Sequence, residues 1–298
     1  MNLTKIKLRT ASAIFLLCGA PLGWAAEHHA ASGVVLAIDR AHGSIRVSCQ
    51  EVPGYMEAMI MDLPVRTSKD LDRLQRGALI DFTLVVERDS VYADAIRIRM
   101  FQSTDPEPMA VRQLNLLEDL VAGTSDKTTR LAIGERVPDF SLVDQSGHPV
   151  TLSSFSGRVI GITFMYTRCP LPNYCFRLSN NFGMVRKRFP DRLGRDLVLL
   201  NISFDPVRDQ PEVLAQYARN WNAEGVSGWY FLTGPVREVQ KVCHEFGMNF
   251  WQDEGLITHA LRTVILNRQA KIVANLEGNE FTAKQLGDLF ESVLDGQN

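Results

Sequence analysis

The pattern of apolar residues changes about a third of the way along this 298-residue chain, and that change constrains the fold most. Residues 32–100 contain five short segments that are apolar or alternate between apolar and polar residues, separated by turn-forming Asp, Gly and Pro. Strands at this spacing predict a small closed β-barrel, because closure removes exposed sheet edges. The expected strands are 33–38, 44–48, 58–63, 79–86 and 91–98.

Residues 133–298 alternate strands and helices instead. Their β-α-β-α beginning and β-β-α end predict a thioredoxin-like α/β domain. Residues 101–132 have the composition of a linker, with one possible helix at 111–121. In the α/β domain we predict strands at 159–166, 196–204 and 229–232, helices at 175–189, 212–221, 236–246 and 282–294, and a hairpin at 262–276.

The first 25 residues are organised like a secretory signal peptide. Three cations precede a short apolar segment, and small residues suited to cleavage follow; these features are Lys5, Lys7 and Arg9, residues 11–17 and residues 23–25. The apolar segment is much shorter than the roughly 20 residues that span a bilayer, so cleavage is expected rather than anchoring. Lipidation of Cys18 is disfavoured because Leu17 stands where a small residue is required.

Cleavage would give an exported, periplasmic protein. The mature chain has 29 Lys and Arg against 34 Asp and Glu, a net charge of −5 that gives no reason to expect nucleic acid as a partner. No later segment is apolar for long enough to span a membrane. The cysteines would then meet an oxidising compartment, where an unpaired thiol needs a use.

Two of the five cysteines flank a short loop, Cys169-Pro-Leu-Pro-Asn-Tyr-Cys175, between an apolar strand and a helix. The N-terminus of a helix favours the thiolate form, and the two prolines restrict how the sulfurs are presented. Such a pair can form a disulfide couple or supply two ligands to a metal. A purely structural disulfide would stabilise little, because the loop is short.

Metal ligation is the favoured interpretation of this loop. Its spacing is wider than the CxxC of thiol-exchange proteins, and Tyr166 stands where a thiol peroxidase usually has Thr. His259 is the expected third ligand, because the loop that enters the strand beginning at Arg262 faces the cysteine turn in a thioredoxin-like topology. By itself, a histidine before a strand would be an incidental polar residue.

These motifs resemble the Sco/SenC family of copper chaperones over residues 133–294. The resemblance lies in Phe164-Met-Tyr-Thr-Arg-Cys-Pro, the second cysteine, Ser203-Phe-Asp-Pro-Val-Arg-Asp-Gln-Pro-Glu and the late histidine. It implies Cys169, Cys175 and His259 as copper ligands and delivery of copper to the CuA centre of cytochrome c oxidase. Family members usually have Cys-x3-Cys, whereas this chain has Cys-x5-Cys. Asp205 matches a family position near the metal and equally suits a turn cap before Pro206.

A second group of soft donors lies in the barrel. Met59 and Met61 are two residues apart, which puts them on one face of a strand, and thioethers select Cu(I). The segment resembles CusF-type periplasmic copper chaperones, with Cys49 in place of a His and Met56 in place of a Trp. The alternative is that the methionines fill the core of the barrel and that Cys49 is a plain buried thiol.

The two modules together favour Cu(I), because two Cys and one His alone would also accept zinc. We hypothesise that the barrel captures Cu(I) and passes it to Cys169 and Cys175 by ligand exchange across the linker. Cleavage after residue 25 or 26 would also place His28 or His29 third from the new N-terminus, where it could complete a square-planar Cu(II) site. Cys243 is expected to be a buried core thiol, because its neighbours are apolar at helical spacing.

Three functions remain open at this point. The first is a metallochaperone, which is not an enzyme, for an oxidase subunit that carries CuA. The second is an enzyme, a thiol:disulfide oxidoreductase that uses Cys169 and Cys175 together with a thiol reductant to reduce the cysteines of an acceptor. The third is a copper buffer for resistance, in which no oxidase takes part.

Overall fold

A computed structural model describes residues 26–99, 130–253 and 256–296. The expected signal peptide over residues 1–25, together with Cys18, and the expected helix at 111–121 lie outside these residues. Within the described part of the chain, no helix is both long enough and apolar enough to cross a bilayer.

The N-terminal module is a five-stranded antiparallel sheet in the order β3-β2-β1-β4-β5. Its two edges meet just after β3, where Val65 bridges Ala93 and the Arg66 amide donates to the Ala93 carbonyl at 3.0 Å. The predicted closure into a small barrel is therefore confirmed. The elements are β1 (Glu27–Asp39), β2 (Ser44–Cys49), β3 (Ile60–Pro64), α1 (Lys69–Arg73), β4 (Leu79–Val86) and β5 (Val91–Ile98).

Strand β1 begins six residues before the expected start, because its polar first half pairs with β4. Glu27 lies opposite Val86, and the ladder continues to Val34 opposite Leu79. The sequence pattern of this half is weak, since its side chains are mostly exposed or small. The pairing with β4, which the local sequence does not encode, determines its extended conformation.

The C-terminal module is the predicted thioredoxin-like α/β domain. Its central sheet has the order β10-β9-β8-β13-β14, with β8, β9 and β10 parallel and β13 antiparallel to β8. The strands are β8 (Val159–Met165), β9 (Leu197–Ser203), β10 (Trp229–Leu232), β13 (Arg262–Leu266) and β14 (Ile272–Glu277). The helices are α2 (Arg177–Arg188), α3 (Pro211–Asn220), α4 (Val236–Glu245) and α5 (Ala283–Leu294).

Two small hairpins in this domain were not expected from the sequence. One joins β6 (Ser141–Val143) to β7 (Pro149–Thr151), and the other joins β11 (Phe250–Asp253) to β12 (Leu256–His259). Strands of three or four residues are too short for a period-two pattern to distinguish them from loops. The second hairpin ends at His259, the predicted third ligand of the cysteine site.

The barrel packs on the α/β domain through helix α5. The Ser48 hydroxyl donates to Asp288 at 2.6 Å, and the Gln285 side-chain amide donates to the Ser48 carbonyl at 2.9 Å. Val34 and Leu36 of the barrel belong to the same buried apolar cluster as the α/β core. Polar and apolar contacts therefore hold the two modules together.

Asp288 is the most highly connected side chain of this interface. Its carboxylate accepts hydrogen bonds from Arg188 at 2.7 Å and from Lys284 at 2.8 Å, in addition to the one from Ser48. The side chain is buried. Burial raises the pKa of this carboxyl, but the hydrogen bonds from Lys284, Ser48 and Arg188 together hold it below its usual value. The ionised form is therefore the one that joins the domains.

The segment that leads into α5 contacts both modules. Asn279 donates to the Asn173 carbonyl in the cysteine loop, and Glu280 forms an ion pair with Arg99 at 3.1 Å. A capping box formed by Thr282 and Gln285 fixes the first turn of the helix, and Gln50 of the barrel donates to the Gln285 side-chain oxygen at 3.3 Å. Residues 279–285, here called the α5 entry segment, thus connect the cysteine loop to the barrel.

Candidate metal centre

The first cysteine lies on a turn at the carboxyl end of the fully buried strand β8. The Cys169 amide donates to the Tyr166 carbonyl at 3.3 Å, which closes the turn. Both the amide and the hydroxyl of Thr167 donate to Asp209, at 3.0 and 2.5 Å, and Ser203 donates to the same carboxylate at 2.6 Å. The fully buried Asp209 therefore anchors the chain just before Cys169.

The second cysteine lies in a wide helical turn, Pro172–Phe176, rather than in the regular helix expected from residue 175. Tyr174 interrupts the helical dihedral angles there, with φ −104° and ψ −112°. The regular helix α2 begins only after this turn, at Arg177. Cys175 is 1% exposed, whereas Cys169 is partly exposed.

His259 projects from the end of β12 towards the cysteine loop. Its Nδ1 lies 2.8 Å from the Ala260 carbonyl, which can only accept, so Nδ1 carries the proton and Nε2 keeps its lone pair. Nε2 lies 3.6 Å from the Cys175 sulfur. A ring held in this way is prepared for metal binding through Nε2.

Aromatic rings that the sequence did not identify as part of the site surround this imidazole. Phe204 lies 4.7 Å from it between ring centroids, Tyr166 5.7 Å and Tyr174 6.0 Å. All three rings lie within the sequence motifs described above, but no pattern in those motifs indicates that the rings pack around the histidine. The rings exclude water and hold the imidazole at 8% exposure.

The predicted three residues come together. The two sulfurs and the ligating nitrogen of His259 all lie within 4.8 Å of one another, and within residues 26–99, 130–253 and 256–296 no other His, Cys, Asp and Glu group does this. Both cysteines are free thiols. Metal bonds of about 2.0–2.3 Å place two ligand atoms of one ion up to about 4.6 Å apart, so small side-chain rotations would bring all three to one ion.

The two thiols differ in their acidity. A hydrogen bond from Cys175 is the main cause that lowers the pKa of Cys169 to about 4; burial opposes it, and backbone hydrogen bonds at Cys175 and Leu171 assist. Burial raises the pKa of Cys175 well above its ordinary value, and the neighbouring Cys169 adds to the rise. At neutral pH the pair therefore holds one thiolate and one thiol, and a metal bound by both sulfurs must displace the Cys175 proton.

Asp205 does not belong to this three-residue cluster. Its buried carboxylate lies 3.5 Å from Arg168, the neighbour of Cys169, and 3.8 Å from Arg208. Its carbonyl accepts from the amides of Arg208 and Asp209, as expected for a turn before the next helix. Asp205 is thus linked to the cysteine loop by its ion pair with Arg168, the residue before Cys169.

The four barrel residues of the second predicted site differ in accessibility. Cys49 is fully buried, its sulfur lies 3.9 Å from the Val47 carbonyl, and burial raises its pKa to about 12. Met56 and Met61 are partly buried against the barrel core, whereas Met59 is 48% exposed. The burial of Cys49 agrees with the alternative that it is a plain buried thiol. The exposure of Met59 does not agree with the alternative that it fills the core of the barrel.

His28 and His29 lie within β1, opposite Val85 and Leu84 of β4. A square-planar site at a new N-terminus would use backbone amide nitrogens of this segment, so it would compete with the β1–β4 ladder. Cys243 is fully buried in the α/β core, as expected, and burial raises its thiol pKa far above the ordinary value.

The chain is similar to known proteins in both of its modules. Residues 129–294 match the family model SCO1/SenC, and residues 28–96 match the model "Copper binding periplasmic protein CusF". "Protein sco1" of Schizosaccharomyces pombe is 27% identical over 157 residues, 49% of this chain and 56% of that protein. "SCO2-like protein RP587" of Rickettsia prowazekii is 25% identical over 207 residues, 66% of this chain and 89% of that protein.

Among solved structures, Arabidopsis thaliana ScoI with copper bound is 22% identical and aligns with a TM-score of 0.47, covering 55% of this chain and 99% of that chain. The match to the fission yeast protein spans just over half of its length. The two family matches confirm copper as the expected metal. The chain therefore belongs to the SCO1/SenC family and carries a CusF-like copper-binding domain at its N-terminal side.

Proposed function

We propose that this protein is an exported, periplasmic copper chaperone that holds Cu(I) with Cys169, Cys175 and His259. The observation that carries the proposal is the approach of two sulfurs and one imidazole nitrogen to within 4.8 Å of one another. Cu(I) prefers thiolate and imidazole ligands. The recipient we propose is the CuA centre of cytochrome c oxidase, in keeping with the family resemblance.

The unequal burial of the ligands supports transfer by ligand exchange. Cys169 is partly exposed and ionised at neutral pH, whereas Cys175 and His259 are buried. A thiolate of the acceptor can therefore approach the metal from the Cys169 side while the two buried ligands still hold it. Release of these two then completes the transfer, and Cys175 regains its proton.

The test is the Cu(I) affinity of the reduced chain beginning at residue 26, measured by competition with a chromogenic chelator. Substitutions Cys169→Ser, Cys175→Ser and His259→Ala should each weaken the site by at least about tenfold, since each removes a ligand. His244→Ala is the matched control, because this histidine is exposed on α4. Unchanged affinity in His259→Ala would refute the three-ligand site.

A second candidate function is thiol:disulfide exchange, which the lowered pKa of Cys169 favours. The two functions differ in their need for His259. If the protein is a copper chaperone, His259→Ala abolishes copper transfer to a purified CuA domain and leaves the reduction of a disulfide in that domain intact. Loss of copper tolerance with normal oxidase activity in a deletion strain would instead indicate a resistance buffer.

We further propose that the barrel binds Cu(I) through its methionines and supplies the cysteine site. Its match to a copper-binding family model supports this, as does the exposure of Met59. The α5 entry segment contacts both the cysteine loop and the barrel, so the modules are held close together. Substituting Met59 and Met61 with Leu should slow loading of Cys169 and Cys175 at limiting copper; equal loading rates would contradict the relay.

A further inference from the structure

His29 points towards the interior of the barrel. In antiparallel strands, residues directly opposite each other project from the same face, and His29 lies opposite Leu84, a member of the barrel core. Two residues further on, Ala31 lies opposite Phe82 and is also in the core. His28 lies between these positions in the alternation and is exposed on the outer face.

His29 also lies at the end of the barrel where the methionine segment begins. The Gln50 amide donates to the Ser32 carbonyl at 2.9 Å, so the start of β1 runs alongside the connection from β2 to β3. The His29 ring stacks on Tyr55 with 3.8 Å between centroids and 19° between planes. Tyr55 directly precedes Met56, so the imidazole lies against the segment of chain that carries the methionines.

The His29 imidazole remains partly accessible. Nε2 lies 3.4 Å from a carboxylate oxygen of Glu27, and the side chain is 23% exposed. Cys49, in contrast, is fully buried.

We propose that His29 is the nitrogen ligand of a Cu(I) site at the open end of the barrel, together with thioethers of Met56, Met59 and Met61. This inference rests on the proposed function, since it assumes that the barrel binds Cu(I). It assigns the imidazole to β1, whereas the sequence placed a soft donor at Cys49 of β2. It also uses only the ring of His29, so it does not require a free N-terminal amine.

The test uses the chain beginning at residue 26 with Cys169→Ser and Cys175→Ser, which silence the other site. Cu(I) affinity is measured anaerobically by competition with bathocuproine disulfonate. We expect Met59→Leu and His29→Ala each to weaken binding by about tenfold or more, as for the loss of one ligand. His28→Ala, the adjacent residue on the opposite face, is the matched control and should change affinity less than twofold.

The outcomes distinguish the assignment of His29 as a ligand from the proposal that the barrel binds Cu(I). If Met59→Leu weakens binding and His29→Ala does not, His29 is not a ligand and the barrel site stands without it. If neither variant weakens binding, the barrel site of the proposed function fails as well. X-ray absorption supplies an independent readout, because the nitrogen scatterer should disappear in His29→Ala; its persistence would overturn the assignment.

Two further measurements exclude indirect effects. The midpoint temperature of unfolding of metal-free His29→Ala should match that of the parent chain within a few degrees, because the residue lies at the rim. If His29→Ala does not fold, the same affinity measurement is made on His29→Gln, which keeps a polar side chain of similar length. Acetylating the N-terminus should leave Cu(I) affinity unchanged. A loss on acetylation would point to a chelate at the terminal amine and overturn the proposal.

Discussion

The reactivity of Cys169 should depend on pH in a way that no ordinary thiol shows. With a pKa of about 4, its thiol is about 90% ionised at pH 5, whereas an ordinary thiol of pKa about 8.5 is about 0.03% ionised. Thiolates lose about 0.4–0.5 log units of nucleophilicity per unit of lowered pKa, which is about 100-fold here. The roughly 3,000-fold excess of thiolate then leaves Cys169 about 30-fold faster than the reference thiol at pH 5.

The comparison reverses in mild alkali. At pH 8 the ordinary thiol is about a quarter ionised, so its greater nucleophilicity makes it about 25-fold faster than Cys169. Between pH 5 and 8 the alkylation rate of Cys169 should therefore stay nearly constant, while that of glutathione rises by about three orders of magnitude. The assay is iodoacetamide labelling of the reduced, metal-free chain, with each cysteine quantified by mass spectrometry.

Cys175→Ala supplies the perturbation, because the hydrogen bond from Cys175 is the largest cause of the low pKa. In this variant the pKa of Cys169 should rise and its labelling rate should recover a dependence on pH between 5 and 8. In the parent chain Cys175, Cys49 and Cys243 should remain unlabelled, since all three are buried. A rate for Cys169 that rises tenfold per pH unit in the parent chain would refute this account of the pair.

Three further predictions concern the supports of the site. Asp209→Asn disturbs the hydrogen bonds that anchor Thr167 and should weaken Cu(I) binding by about 10–100-fold, as other supports of metal ligands do, whereas the exposed Asp191→Asn should not. Ser48→Ala removes the interdomain bond to Asp288 and should lower the free energy of unfolding in urea by about 1–3 kcal/mol, against no measurable change for the exposed Ser90→Ala. The pKa of Asp288 is lower in the folded protein than in the unfolded chain, where it is about 3.9. Its contribution to the free energy of unfolding is therefore present above the unfolded pKa and is lost as pH falls through the folded pKa. Asp288→Asn should accordingly make this free energy less dependent on pH in acid.

Each of these predictions has a clear contrary result. Tight Cu(I) binding by Asp209→Asn would mean that the turn holds Cys169 without this carboxylate. A Ser48→Ala variant as stable as the Ser90→Ala control would show that the apolar contacts alone join the domains. An acid limb equally steep in Asp288→Asn and in the parent chain would assign the acid sensitivity to other carboxylates.

The sequence predicted the elements whose patterns are local. Strands β4, β5 and β10 have the predicted bounds, because runs of Val, Ile, Leu and aromatic residues identify buried strands directly. The three residues predicted for the cysteine site also come together, since the loop that carries His259 faces the strand–helix junction that carries the two cysteines. The fold class and this site thus follow from periodicity and topology.

The features that the sequence did not reveal depend on tertiary contacts between residues far apart in the chain. Ser48 and Asp288 are 240 residues apart, and neither has a local pattern that indicates the other. Strand β12, which presents His259, is held by pairing with a strand of four residues. The sequence alone indicates His29 only as part of a chelate at a new N-terminus, because the face that its ring occupies depends on the pairing with β4.

The α5 entry segment has a kinetic consequence for copper traffic. It touches the Cys-x5-Cys loop through Asn279 and the barrel through Gln285, so one short segment connects the two modules. In the proposed relay, exchange of an ion between modules joined in this way would be a first-order event, whose half-time is the same in dilute and in concentrated protein. Severing the chain between the modules and mixing the halves would convert that event into a bimolecular encounter, slowed in proportion to dilution.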